Sequence, residues 1–170
     1  MTYIKLKSED KKYFERLFIK GLAETVFGRE RLVHGPLKGT LDMAYRGAKK
    51  LFIQNAFMIG YDYKTKRSLE SLPDLHNDDS ALIYVDRIKV PKQTPFMKEN
   101  LPATLKYSMR RTKQLLEENL QRRLNPHNPA FLKKEFGDDL PEMIARDKRN
   151  TELEIRGARD LYDAVQRLMK

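Results

Sequence analysis

The sequence predicts a mainly helical α+β domain, with about five helices, a two-stranded antiparallel hairpin and a helical C-terminal extension. Three observations lead there. Apolar residues recur at three- and four-residue spacing over most of the chain, the period switches to alternation after Asn55, and Asn125-Pro126-His127-Asn128-Pro129 interrupts the last long helical pattern.

Ser8 is placed to cap a first helix whose opening turn holds Glu9 and Asp10, the acidic start that a helix dipole favours. Phe14, Leu17, Phe18, Leu22 and Val26 follow at helical spacing, and Gly28 is a natural stop. Gly35, Pro36 and Gly39 mark residues 29–39 as a loop. Thr40 caps a second helix with Leu41, Ala44, Tyr45, Ala48, Leu51 and Phe52 on one face and Arg46, Lys49 and Lys50 on the other. Phe57, Ile59, Tyr61 and Tyr63 then alternate as a strand does, and residues 81–90 read as a second strand ended by Pro91 and Pro95. Such a pair needs helices or a partner sheet to pack on.

A third helix is expected from about Pro102 to Leu124, buried along Leu105, Met109, Leu116 and Leu120. A short helix restarts at Asn128 and Pro129 and ends near Gly137, and another begins near Asp139 and Pro141. Thr151 and Glu154 have capping-box spacing, which predicts a separate terminal helix entered at Asn150 with Leu153, Ala158, Leu161, Tyr162, Val165 and Leu168 buried. The double-proline segment divides a main body, residues 1–124, from a C-terminal helical appendage, residues 125–170.

Composition bounds the function. The 170 residues, 40% hydrophobic and 34% charged, suffice for one helix-rich domain with its own core. With no cysteine, disulfides, thiolate zinc sites and cysteine nucleophiles are excluded. The longest apolar stretch, Leu51–Ile59, is far short of the roughly 20 residues a bilayer crossing needs. No signal core opens the chain, and Glu9, Asp10 and Glu15 disfavour a transit peptide, so an intracellular, soluble protein is expected, in cytoplasm, virion or organelle matrix alike.

Charge is the most directive feature. Lys and Arg total 34 against 24 Asp and Glu, a net +10. Residues 1–60 carry 12 basic and 6 acidic side chains, residues 61–100 carry 7 of each, residues 101–134 carry 8 and 2, and residues 135–170 carry 7 and 9. Two basic blocks thus flank a neutral centre, and such fields attract polyanions. In the first block, Arg46, Lys49 and Lys50 share a helix surface, and Lys38 stands beside the Gly39-Thr40 helix start, where free N–H groups favour phosphate. In the second, Lys106, Arg110 and Lys113 form one stripe, widened by Arg111, Arg122 and Arg123 and offset by Glu117 and Glu118. Arginine suits bidentate phosphate contact. Tyr61 and Tyr63, leading into Lys64, Lys66 and Arg67, combine stacking surface with charge. Each feature has a plain alternative: a solvated helix face, packing tyrosines, or neutralisation of the third helix by the acidic C-terminal segment.

Catalytic and metal patterns fail on spacing. Asp74, His76 and Asp78 begin a calcium loop, but Asp79 holds its glycine position and Val85 its glutamate position. Val85-Asp86-Arg87-Ile88 with Pro91 and Asn100-Leu101 faintly resembles the spacing of HNH-type nucleases, yet Arg87 stands where that family has its histidine base. Asp74 with Asp86 and Lys89 misses the Glu-x-Lys spacing of restriction-type nucleases. His34, His76 and His127 sit in separate loops. The expectation is therefore a non-enzymatic basic structural subunit, without cofactor or metal. It would contact nucleic acid and neighbouring protein subunits in a ribonucleoprotein or phage-type virion complex. The alternative is an adaptor, assembly factor or inhibitor docking on an acidic protein surface, and a metal-dependent nuclease is a distant third.

Overall fold

A computed structural model describes residues 6–30, 47–48, 51–53, 55–56, 89–125 and 129–170. Among the described residues four helices are seen along their whole length: α1 (Ser8–Glu30), α2 (Pro95–Leu124), α3 (Pro129–Phe136) and α4 (Leu140–Leu168). A 3-10 turn, Gly137–Asp139, joins α3 to α4. Gly137 has φ +48°, the left-handed conformation that closes a helix and that glycine adopts without a Cβ penalty. A helical fragment around Phe52, at 47–48, 51–53 and 55, also contributes to the core.

The two-stranded hairpin, and with it the α+β class, is corrected. The described residues are almost wholly helical, with no strand among them. Lys89 and Val90, the end of the second expected strand, are coil leading into Pro91–Thr94. Arg16 Nη1 donates to the Lys89 carbonyl at 3.4 Å, and Val90 packs against the helical core. A side chain and a helix surface here take the roles that a strand ladder would have filled. Residues 57–88, which hold the rest of the expected hairpin, lie outside the described residues.

Helix ends also differ from expectation, for local reasons. α2 begins at Pro95 and passes through Pro102. Thr94 is its N-cap, its hydroxyl accepting the Met97 N–H at 3.2 Å, and Pro95 occupies a first-turn position where no N–H is needed. At the start of α1 the Lys7 carbonyl accepts the Lys11 N–H at 3.0 Å, so Lys7 occupies the cap position and Ser8 is already helical. Asp10 reaches back to the Lys7 N–H at 3.2 Å, half of a capping box. It also accepts the Thr94 hydroxyl, so one buried carboxylate ties the starts of α1 and α2 together. α4 runs unbroken through Asn150, because Thr151 is buried in mid-helix and accepts from Arg123 rather than capping.

α4 packs on both α1 and α2, which touch each other only lightly. The core gathers Phe14, Leu17 and Phe18 of α1, Phe52 and Ala56 of the fragment, Met97, Leu101 and Leu105 of α2, and Leu161 and Val165 of α4. The hydrophobic centre therefore draws residues from both sides of the 125–129 segment. At roughly 1.5–3 kcal/mol per fully buried large apolar side chain, this cluster is the main favourable term for the fold. A smaller cluster of Ala48, Leu116 and Ala158 extends it toward the far end of α2. Gly21 lets α1 approach α4 closely, since a Cβ there would lie 2.8 Å from Val165 Cγ2. No helix among the described residues is long and apolar enough to cross a membrane.

Candidate nucleic-acid interface

The buried row of α2 is Met97, Leu101, Leu105, Ser108, Thr112 and Leu116, spaced by three and four residues. Two of the six are polar, and both are partnered. The Ser108 hydroxyl donates to the Phe52 carbonyl, and Thr112 Oγ1 accepts from Asn55 Nδ2 at 3.3 Å. These bonds satisfy groups that would otherwise be costly to bury, and they fix how α2 is rotated against its neighbours. The opposite face, with Lys106, Tyr107, Arg110 and Lys113, is thereby held outward and exposed.

The cations on α2 are not equivalent. Lys106 and Arg110 make no ion pair among the described residues, and the Arg110 guanidinium carbon lies 5.9 Å from the Tyr107 ring centroid. That distance is within cation–π reach, and Tyr107 is 42% exposed. Lys113 pairs with Glu117 at 3.8 Å, and Arg111 and Arg122 share Glu118 at 3.9 Å each. These are solvent-screened surface pairs worth about 0.2–1 kcal/mol each. Arg123 is turned toward α4, 4.0 Å from Asp147 and donating to Thr151 Oγ1 at 3.3 Å. Internal neutralisation by the C-terminal segment thus reaches Arg123, whereas the counter-charges on Arg111, Lys113 and Arg122 come from α2 itself.

At the α2–α4 seam lies an open groove of about 490 Å³, lined by Gly47, Leu51, Leu116, Asn119, Arg122, Arg123 and Glu154. Burial pushes the Glu154 carboxyl above its ordinary range, and the nearby Arg123 charge acts in the opposite direction. The groove joins an apolar floor, a half-buried carboxylate and two guanidinium groups in one concavity.

Lys38, Arg46, Lys49, Lys50, Tyr61, Tyr63, Lys64, Lys66 and Arg67 lie outside the described residues, as do Asp74, Asp78, Asp86 and the three histidines. Of the described candidates, Lys106, Arg110 and Lys113 share one exposed stretch of helix with the half-buried Arg111 beside them, while Arg122 and Arg123 line the groove. The Asn100-Leu101 pair of the nuclease-like spacing is ordinary helix: Leu101 is fully buried, and Asn100 Nδ2 donates to the Phe96 carbonyl at 2.8 Å. No cluster of three or more metal-ligating side chains occurs among the described residues. Sequence reasoning passed over Tyr107 and Asn119, and gave Glu154 only a capping-box role. Tyr107 carried a readable signal, an aromatic directly after Lys106 and three residues before Arg110. Glu154 carried none, since its place depends on how α4 meets α2. Compared with known proteins, the chain matches no family model, no curated protein and no solved structure.

Proposed function

We propose that this protein is a non-enzymatic basic subunit that holds the phosphate backbone of a nucleic acid on the outer face of α2, within a larger assembly. The observation that carries this reading is the exposed pair Lys106 and Arg110, without ion-pair partners among the described residues and grouped with Tyr107. Uncompensated cations on one helix face repel each other until an anion arrives, and a polyanion neutralises several at once. Tyr107 adds a sequence-tolerant stacking surface of the kind single strands use. The test is binding of a labelled single strand to the full chain at low salt. Affinity should fall with salt with a log–log slope of about 0.7 per phosphate contact. Absence of binding to both DNA and RNA at low salt refutes the reading.

A second reading, docking on a protein partner, is favoured by α3. This helix has no buried residue and leaves Phe131 54% and Phe136 38% exposed beside Lys133 and Lys134. The two readings are compatible in an assembly, with α2 on nucleic acid and α3 on a neighbouring subunit. Partners that co-purify after nuclease treatment and are lost on Phe131→Ser would support the protein contact, and co-purification unaffected by that change would oppose it.

A further inference from the structure

The groove between α2 and α4 extends the nucleic-acid reading, on which the following rests. Its volume, about 490 Å³, falls in the range of small-molecule sites, roughly 300–1,000 Å³. Leu51 and Leu116 supply an apolar floor, Asn119 and Glu154 supply polar groups, and Arg122 and Arg123 complete the lining. Glu154 is the unusual member. It is half-buried, yet it makes no hydrogen bond or ion pair among the described residues, and its Oε1 lies only 3.9 Å from where a Gly47 Cβ would stand. Arg123, whose charge acts on Glu154, already serves Asp147 and Thr151. A partly desolvated carboxylate with no donor among the described residues is best complemented by two adjacent donors.

We infer that this groove receives one unpaired guanine base of a bound single strand, with Glu154 reading its edge. Guanine presents N1–H and the N2 amino group side by side, a donor pair that both carboxylate oxygens can accept. Adenine and cytosine place one amino group next to a bare ring nitrogen, whose lone pair faces the carboxylate. Thymine and uracil offer a single N3–H between two carbonyl oxygens, which the carboxylate repels. The Asn119 amide adds a donor suited to guanine O6, and the leucine floor takes the ring face. Arg122 lines the same groove with its side chain 76% exposed, and its guanidinium would suit a flanking phosphate.

The experiment uses the full chain and two labelled strands of twelve nucleotides, one all thymidine and one with a single central guanine, each also made as RNA with uridine. The wild type should bind the guanine strand about tenfold more tightly, the scale of one bidentate base contact. Glu154→Gln should bring the ratio close to one. Its affinity for the thymidine strand should hold or rise, because a negative charge leaves the groove. Asn119→Ala, at an exposed position, should lower the ratio by a smaller factor and serves if the first variant does not fold. Equal wild-type affinity for both strands overturns the inference while leaving the backbone reading standing. A guanine preference that survives both substitutions also overturns it. Failure to bind either strand at low salt overturns the inference and the proposed function together.

Discussion

Removing Lys106 and Arg110 together decides whether the outer face of α2 holds phosphate. Both are exposed and make no ion pair among the described residues, so neither must break a salt bridge to engage a ligand. Single-strand binding releases about 0.7 of a counterion per phosphate neutralised, so two contacts contribute about 1.4 to the slope of log affinity against log salt. Between about 50 and 200 mM salt, a change of about 0.6 log units, those contacts account for a loss of about sevenfold. Lys106→Ala/Arg110→Ala should flatten the slope by that 1.4, read by fluorescence anisotropy of a labelled strand over a salt series. Glu118 tests the same argument with opposite sign. It pairs with both Arg111 and Arg122 at 3.9 Å and accepts from Gln114 Nε2 at 2.8 Å. Glu118→Gln keeps an acceptor for Gln114 and releases both guanidinium groups, so binding should tighten and its salt dependence steepen. A slope unchanged by the double substitution, or weaker binding on Glu118→Gln in a folded protein, refutes the assignment.

Two further outcomes test the packing and the seam. Gly21→Ala would place a Cβ 2.8 Å from Val165 Cγ2 and 3.6 Å from Leu161 Cδ1. The overpacking cost of about 1–3 kcal/mol should outweigh the helix-propensity gain of about 1 kcal/mol. Denaturant titration should then show a net loss that Val165→Ala partly relieves in the double variant, and simple additivity would contradict the close approach. Glu154 has its pKa raised in the folded protein, chiefly by burial. The folded state therefore holds this proton more firmly than the unfolded chain does. The resulting stabilisation is present below the unfolded value near 4.5 and is lost as pH rises through the raised folded value. Replacement by Gln should raise the thermal midpoint at pH 7 relative to wild type and narrow that advantage toward pH 4. A pH-independent difference would argue against a desolvated carboxylate.

How much of this was legible in the sequence can be judged along α2. Leu105 and Leu116 announce themselves by type and spacing, and both are buried. Ser108 and Thr112 do not, because a polar residue reads as surface until its partner is known. Their partners, the Phe52 carbonyl and Asn55, belong to a distant fragment. Helix boundaries failed for a related reason. Pro102 and Thr151 have the chemistry of helix starts, yet each lies inside a helix whose neighbours stabilise it as a whole. The expected end of the second strand was misread because Val90 is β-branched and followed by Pro91. In the fold it lies in the irregular lead into α2 and packs against the core. On the charged face, the i,i+4 pairing of Glu118 with Arg122 could be counted from spacing, and it forms. The capture of Arg123 by Asp147 and Thr151 required knowing which helix lies alongside.

The polar residues in the core of α2 connect its fold to its surface. A row made only of leucines would tolerate some rotation of the helix, since one apolar contact substitutes for another. Ser108 and Thr112 remove that freedom, because each must meet a particular group on the Phe52 fragment. The Asp10–Thr94 bond fixes the start of the same helix. Turning α2 by one residue, about 100°, would bring Lys113 in place of Thr112 and leave the buried hydroxyls without partners. Burying an unpaired ammonium costs several kcal/mol, so the alternative rotation is strongly disfavoured. The outward presentation of Lys106, Tyr107 and Arg110 is thus a consequence of core hydrogen bonding, and Ser108→Val should disturb binding through that register even though residue 108 itself is buried. A Ser108→Val protein that loses stability while keeping the full salt slope would show that apolar packing alone sets the face.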